Sequence, residues 1–248
     1  MCGRFVSREQ AAIEREYNIR VRNPFERVYN AAPTMLLPVI RAHSGEREAL
    51  TMRWGLIPGW WSQPAPPTST INARSEEAAS KPMWRGAVRH TRCLVPALGW
   101  YEWHLSPEGK VPYFIHAPTS SVGGESGRGG APTELPGFCF AGLWSESKGP
   151  AGEAQLSFAI LTRAASDTLR AVHDRMPVVL APAAWDDWLA DWPGEQASKL
   201  AGHVANSLNE FEYYPVSRYV NAPRNQGERC IQPASGSSGT GAAPAGAL

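Results

Sequence analysis

The chain has 248 residues, of which 43% are hydrophobic and 19% charged, enough apolar content to bury a core in one large domain or two small ones. Its net charge of +1 gives no global basic field. No apolar run approaches the roughly 20 residues of a membrane helix, and the N-terminus lacks a signal-peptide pattern.

In chain order, Ser7-Arg8-Glu9-Gln10 is a capping-box pattern that predicts a helix from Ser7 to about Tyr17. Residues 30–38 read as loop and 39–42 as a short strand. Trp54 to Trp61 is aromatic and turn-rich, followed by a Pro-rich loop to Thr70. Residues 71–80 enter a short helix, and Pro82 opens another that runs to about His90. Strands are predicted at 92–97, 100–104, 111–116, 138–144 and 156–162. The Gly/Ser/Pro-rich stretch 117–136 reads as a flexible loop between two of them. A helix follows at 166–172, capped by Ser166, then a strand at 178–180. Residues 182–192 form an amphipathic helix with Trp185, Trp188, Leu189 and Trp192 on one face. A last strand spans 211–217, and the Gly/Ala/Ser-rich residues 234–248 read as a disordered tail. The expectation is a single α+β domain over residues 1–233, with a mixed, curved, barrel-like β-sheet core and peripheral helices. Regular βαβ alternation is absent.

Cys2, Cys93, Cys139 and Cys230 include no C-x-x-C pair, which argues against a disulfide framework and a zinc site. No G-x-G-x-x-G or Walker pattern occurs, so no nucleotide cofactor is expected, and no metal either. The positive charge is 20 Arg and 4 Lys. Arg is the better bidentate phosphate ligand, although GC-rich codon usage produces the same bias.

Chemistry gathers at a few residues. Removal of Met1 would make Cys2 the N-terminus, with amine and thiol two carbons apart. Such a 1,2-aminothiol traps an aldehyde twice, first as an imine and then as a thiazolidine ring. An N-terminal amine with a pKa of about 7.7–8.0 keeps a neutral fraction near pH 7. Period-2 alternation puts Trp100 and Glu102 on one face and Tyr101 and Trp103 on the other. A carboxylate beside indole is partly desolvated and suited to acid/base work, but an exposed or Arg-paired strand glutamate reads equally well. His173 could shuttle a proton or simply sit near a helix C-terminus. Asn72 could orient a hydroxyl or phosphate, or cap a helix. Arg4, Arg74 and Arg85 are candidates for backbone phosphates, or solvated surface charges. Among Trp54, Trp60, Trp61, Trp84 and Trp103, Trp103 is the candidate for stacking on a base and the others read as core. His43, His90, His104, His116 and His203 read as structural or surface.

Four segments stand together: Met1-Cys2-Gly3-Arg4-Phe5, Ile71-Asn72-Ala73-Arg74-Ser75-Glu76, Gly99-Trp100-Tyr101-Glu102-Trp103 and His173-Asp174-Arg175-Met176-Pro177. With Arg92-Cys93-Leu94-Val95-Pro96 and Cys230-Ile231-Gln232-Pro233, their order and content resemble the SOS-response-associated peptidase family, the abasic-site processing proteins. The resemblance covers residues 1 to about 233. It implies that Cys2 crosslinks to the ring-opened aldehyde of an abasic site in single-stranded DNA, and that Asn72, Glu102 and His173 complete the site. A lyase side activity and self-removal of Met1 would accompany it. The expected protein is a monomer of the cytoplasm, nucleoid-associated when bound to DNA. Two other readings start from the same residues. Glutamine amidotransferases of the N-terminal-nucleophile type also begin Met-Cys-Gly, although Arg4 replaces their apolar residue. A non-catalytic single-strand-binding module would use the Arg and Trp content equally well.

Overall fold

Alternating residues along five strands face two different cores, and that is possible because the sheet closes on itself. The computed structural model describes residues 2–63, 69–107, 109–119, 135–149, 152–192 and 195–234. Its strands are β1 (Arg4–Ser7), β2 (Leu36–His43), β3 (Glu46–Trp54), β4 (Asn72–Arg74), β5 (Arg92–Ser106), β6 (Gly109–His116), β7 (Phe138–Lys148), β8 (Ala154–Ala164), β9 (Arg175–Pro177), β10 (Val179–Leu180) and β11 (Glu212–Pro215). The helices are α1 (Gln10–Tyr17), α2 (Ser75–Ala78), α3 (Arg85–His90), α4 (Asp167–Arg170), α5 (Trp185–Leu189) and α6 (Gln196–Ala205).

β5 pairs with both β2 and β7, β7 pairs with β8, β8 runs parallel to β3, and β3 returns antiparallel to β2. These five strands are a closed mixed barrel, with β1, β4, β6, β9, β10 and β11 added outside the ring. One face of the barrel strands contributes Val39, Met52, Val95, Phe140 and Phe158 to a core that also holds Cys2 and Phe5. The other face contributes Ile40, Ala49, Leu94, Ala141 and Ala159 to a second core, closed by Ile13, Val88, Trp188 and Leu200 from the helices. A third cluster joins Val6, Tyr101, Phe114 and Tyr214 to Val220, Cys230 and Ile231 of the C-terminal segment.

The architecture agrees with the sequence expectation, and several boundaries differ for physical reasons. Ser7 is not a helix cap. It is buried in β1, its Oγ accepts the Val28 amide at 2.9 Å, and α1 starts three residues later, after Glu9. The predicted strands 92–97 and 100–104 are one strand of 15 residues. Gly99 looks like a break but marks a close approach: an added Cβ would lie 2.5 Å from the Ile115 carbonyl oxygen and overlap the Phe114 ring. The sequence pattern does not mark β3. The strand follows the two-residue turn Ser44-Gly45, both at positive φ, which matches a hairpin turn. The predicted helix 182–192 is a 3₁₀ turn (Pro182–Ala184) plus α5, ending where Ala190 turns extended. Ser166 occupies the cap position of α4 without a side-chain cap bond. Nor does the sequence pattern mark α6, which has Gly202 in its interior and only Leu200 and His203 buried. Most of the expected loop (120–134) and the expected tail (235–248) lie outside the described residues. Among the described residues no helix is long and apolar enough to cross a membrane.

Candidate active site

The first strand delivers the cysteine. β1 runs antiparallel to β5, with Arg4 opposite Tyr101 and Phe5 opposite Trp100. Antiparallel pairing carries the residues before Arg4 toward Glu102 and Trp103. Cys2 is fully buried in the barrel-side core. Burial, followed by the charge of Glu102, pushes its thiol well above the ordinary range. The thiol is therefore protonated at neutral pH and needs a base when it reacts.

Glu102 is 3% exposed. Burial raises its carboxyl from 4.5 to about 7, with Asp174 adding to the effect. It projects on the Trp100 side of β5, while Tyr101 and Trp103 belong to the cluster on the opposite side. The alternation read from the sequence is realised here.

Asn72 opens β4, which lies parallel to β8 with Asn72 opposite Ile160. The strand leaves Asn72 no capping role. Its Nδ2 donates to the Cys2 carbonyl at 2.7 Å, and its buried Oδ1 has no hydrogen-bond partner among the described residues. An amide fixed at one end and open at the other can orient an incoming donor.

His173 lies between α4 and β9, its backbone N–H bonded to the Leu169 carbonyl at 3.0 Å. Its Nε2 is 4.0 Å from Glu102 Oε2. Its Nδ1 is close to two groups, the Arg175 amide N–H at 2.9 Å and Asp174 Oδ1 at 2.8 Å. The amide can only donate, so Nδ1 accepts and the neutral ring carries its hydrogen on Nε2, on the Glu102 side. Asp174, 83% exposed, favours the charged ring against the larger, opposite effect of burial. Burial lowers the imidazole pKa, so burial drives both members of the Glu102–His173 pair toward neutrality.

The structure thus brings Cys2, Asn72, Glu102 and His173 together. The remaining expected site residues are distributed differently. Arg4 Nη1 donates to Asn30 Oδ1 at 2.8 Å and to the Val220 carbonyl at 3.1 Å, and its guanidinium lies 5.7 Å from the Trp103 ring. Trp103 Nε1 donates to Asn221 Oδ1 at 2.8 Å. Arg4 and Trp103 are therefore anchored to the C-terminal segment beside the nucleophile. Arg74 ends β4 and Arg85 opens α3, both exposed. Among the described residues no hydrogen bond or ion pair joins either of them to the central four. Trp54 and Trp84 are buried, as expected of core residues, but Trp60 is 60% exposed and meets Trp61 edge-to-face. Sequence reasoning also missed the bidentate pair of Arg175 with Glu76; both residues stand inside quoted motifs, but nothing local shows that they meet. Among the described residues no group of three His, Cys, Asp or Glu could hold a metal.

Fold and site together define a mixed-barrel α+β domain whose first strand seats a near-terminal cysteine against a buried carboxylate, an imidazole and an amide. The chain belongs to the SOS response associated peptidase (SRAP) family, whose family model matches residues 1–223. It is 31% identical over 244 residues to the abasic site processing protein YedK of Escherichia coli, covering 94% of this chain and all of that protein. It is 34% identical over 226 residues to the abasic site processing protein HMCES of Gallus gallus, covering 83% of this chain and 66% of that one. Among solved structures, a Bacteroides thetaiotaomicron protein superposes with a TM-score of 0.73 at 20% identity, covering 94% of this chain and all of that one. This last likeness is one of fold.

Proposed function

We propose that this protein captures abasic sites in single-stranded DNA by condensing the sugar aldehyde with the amine and thiol of Cys2. The observation that carries the reading is a carboxyl with a midpoint of about 7 set against Cys2 and 4.0 Å from a neutral imidazole. Proton transfer near neutral pH is the one service that aldehyde capture requires. The abasic-site names of YedK and HMCES support the substrate.

The sequence of steps balances. Hydrolysis of the Met1–Cys2 bond frees the α-amine. His173, once charged as the imidazolium, passes its Nε2 proton to the sugar ring oxygen while the C1 hydroxyl gives its proton to water; the ring returns to neutral and the hemiacetal opens to the aldehyde. The amine adds to C1, the carbinolamine loses one water, and an imine remains. The Cys2 sulfur then adds to the imine carbon while its proton passes to the Glu102 carboxylate and the nitrogen gains one. The thiazolidine closes with a net loss of one water. Asn72 holds the Cys2 carbonyl and turns its open Oδ1 to a substrate hydroxyl. From the imine, loss of the 3′ phosphate by β-elimination is the lyase side reaction. Arg4, Arg74 and Arg85 take backbone phosphates and Trp103 stacks beside the lesion. The protein acts as a monomer on nucleoid DNA in the cytoplasm.

The test is denaturing electrophoresis of protein mixed with a single-stranded oligonucleotide carrying one abasic site. A retarded band requiring both the lesion and Cys2 is expected. A band that persists in Cys2→Ala, or no band from protein whose mass shows Met1 removed, overturns the proposal.

A further inference from the structure

Two of the quoted motifs meet at a point outside the four central residues. Arg175 directs its guanidinium fork at Glu76, donating from Nη1 to Oε1 at 2.7 Å and from Nη2 to Oε2 at 2.9 Å. Nη2 also donates to the Thr162 carbonyl at 2.8 Å. Thr162 lies on β8, opposite Arg74 of β4 on one side and opposite Pro177 of β9 on the other. The fork therefore spans β8 and ties β9 to the start of α2. α2 follows directly on β4, the strand that carries Asn72. The backbone N–H of the same Arg175 donates to His173 Nδ1 at 2.9 Å. One residue thus fixes the hydrogen-bond state of the imidazole and is itself fixed to the Asn72 segment.

Isolated surface ion pairs contribute little to stability, because two long side chains lose freedom for a weak attraction. This pair differs in geometry. It is bidentate, the Arg175 side chain is only 16% exposed, and a third contact to a strand carbonyl sets the fork's orientation. Its consequence is for placement more than for stability. Without Glu76 the guanidinium keeps only its contacts to Thr162, and the turn that presents the Arg175 amide to His173 loses its anchor.

We infer that Glu76 is a positioning residue: through the Arg175 fork it holds the His173 loop in register with Asn72 and keeps the His173 hydrogen on Nε2, facing Glu102. The catalytic consequence rests on the proposed capture reaction, whereas the tautomer claim stands on geometry alone. The experiment therefore reads both, on the full-length protein. Glu76→Ala is compared with wild type by ¹⁵N NMR of the His173 ring without DNA, and by the rate of covalent adduct formation on the abasic oligonucleotide. Affinity for an intact oligonucleotide of the same sequence is measured in parallel.

The expected result is a single Nε2–H tautomer in wild type and a mixture in Glu76→Ala. Adduct formation should slow by about tenfold or more, within the roughly 100-fold that a misplacement of 1 Å can cost. Intact-strand affinity should change by less than about threefold, and Glu76→Gln, which keeps one acceptor, should recover part of the rate. An unchanged imidazole spectrum in Glu76→Ala overturns the inference, as does a mixed-tautomer spectrum in wild type. If Glu76→Ala does not fold, Glu76→Gln is read in its place and must show the same mixture in weaker form. If wild type gives the single tautomer but no adduct, the capture reaction falls and the spectra alone decide the role of Glu76.

Discussion

Replacing Glu102 by Gln should remove activity and add stability, and the balance between the two should depend on pH. In the folded protein burial raises the Glu102 carboxyl from 4.5 to about 7. The folded state therefore holds a proton that the unfolded chain has already released between those values. Below about pH 4.5 the group is neutral in both states and exacts no penalty. From there to about pH 7 the penalty of charging it in the fold grows, and above that it is constant. At about 1.4 kcal/mol for each factor of ten in proton affinity, the full penalty is about 3 kcal/mol. Glutamine keeps the shape and never charges. Urea unfolding of both proteins at pH 5 and pH 8 should show the stability of Glu102→Gln relative to wild type rising by about 2–3 kcal/mol between the two. Adduct formation by the variant at pH 7 should fall by about 100-fold, the lower range for loss of a general acid/base. A stability difference that varies by less than about 0.5 kcal/mol across this range would show that the carboxyl is not held near neutrality by burial. The proton-transfer role would then lose its physical basis.

Three further outcomes are expected. His173 should titrate below 6.5 in an NMR pH series, because burial disfavours its charged form; a midpoint above 6.5 would mean that Asp174 dominates. Fully buried Asn30 shares the two Nδ2 hydrogens among the carbonyls of Val220, Ala222 and Asn225, and its Oδ1 accepts from Arg4. Asn30→Ala should therefore cost about 2–4 kcal/mol in urea unfolding and expose residues 218–226 to proteolysis; protection equal to wild type would contradict the anchoring role given to that network. Gly99→Ala should destabilise by about 1–3 kcal/mol, since its Cβ meets the Ile115 carbonyl oxygen and the Phe114 ring. A neutral effect in thermal or urea unfolding would mean that β5 and β6 can separate at little cost.

The sequence was most readable where one residue's chemistry depends on its immediate neighbours. The face assignment of Trp100, Tyr101, Glu102 and Trp103 follows from strand periodicity and holds in the structure. The boundaries that failed are those where tertiary contacts override a local signal. Ser7 and Gln10 form a capping pattern, yet pairing of β1 with β5 keeps Ser7 extended and buried. Leu98 and Gly99 separate two predicted strands, yet β5 runs through both because β7, β1 and β6 pair along it. Long-range pairing was the least readable. Glu76 and Arg175 stand 99 positions apart, and no local pattern predicts that their side chains meet. Exposure behaves in the same way, as Trp60 shows: composition suggests core, and only the folded chain leaves its ring in solvent.

The most direct measurement is tandem mass spectrometry of the digested covalent complex between the protein and an abasic single-stranded oligonucleotide. The expected finding is one modified peptide, beginning at Cys2 without Met1, carrying the sugar fragment with a net loss of one water and with neither amine nor thiol free to react. A sugar fragment on a lysine, on another cysteine, or on a Cys2 whose amine is still joined to Met1 would contradict capture by the 1,2-aminothiol.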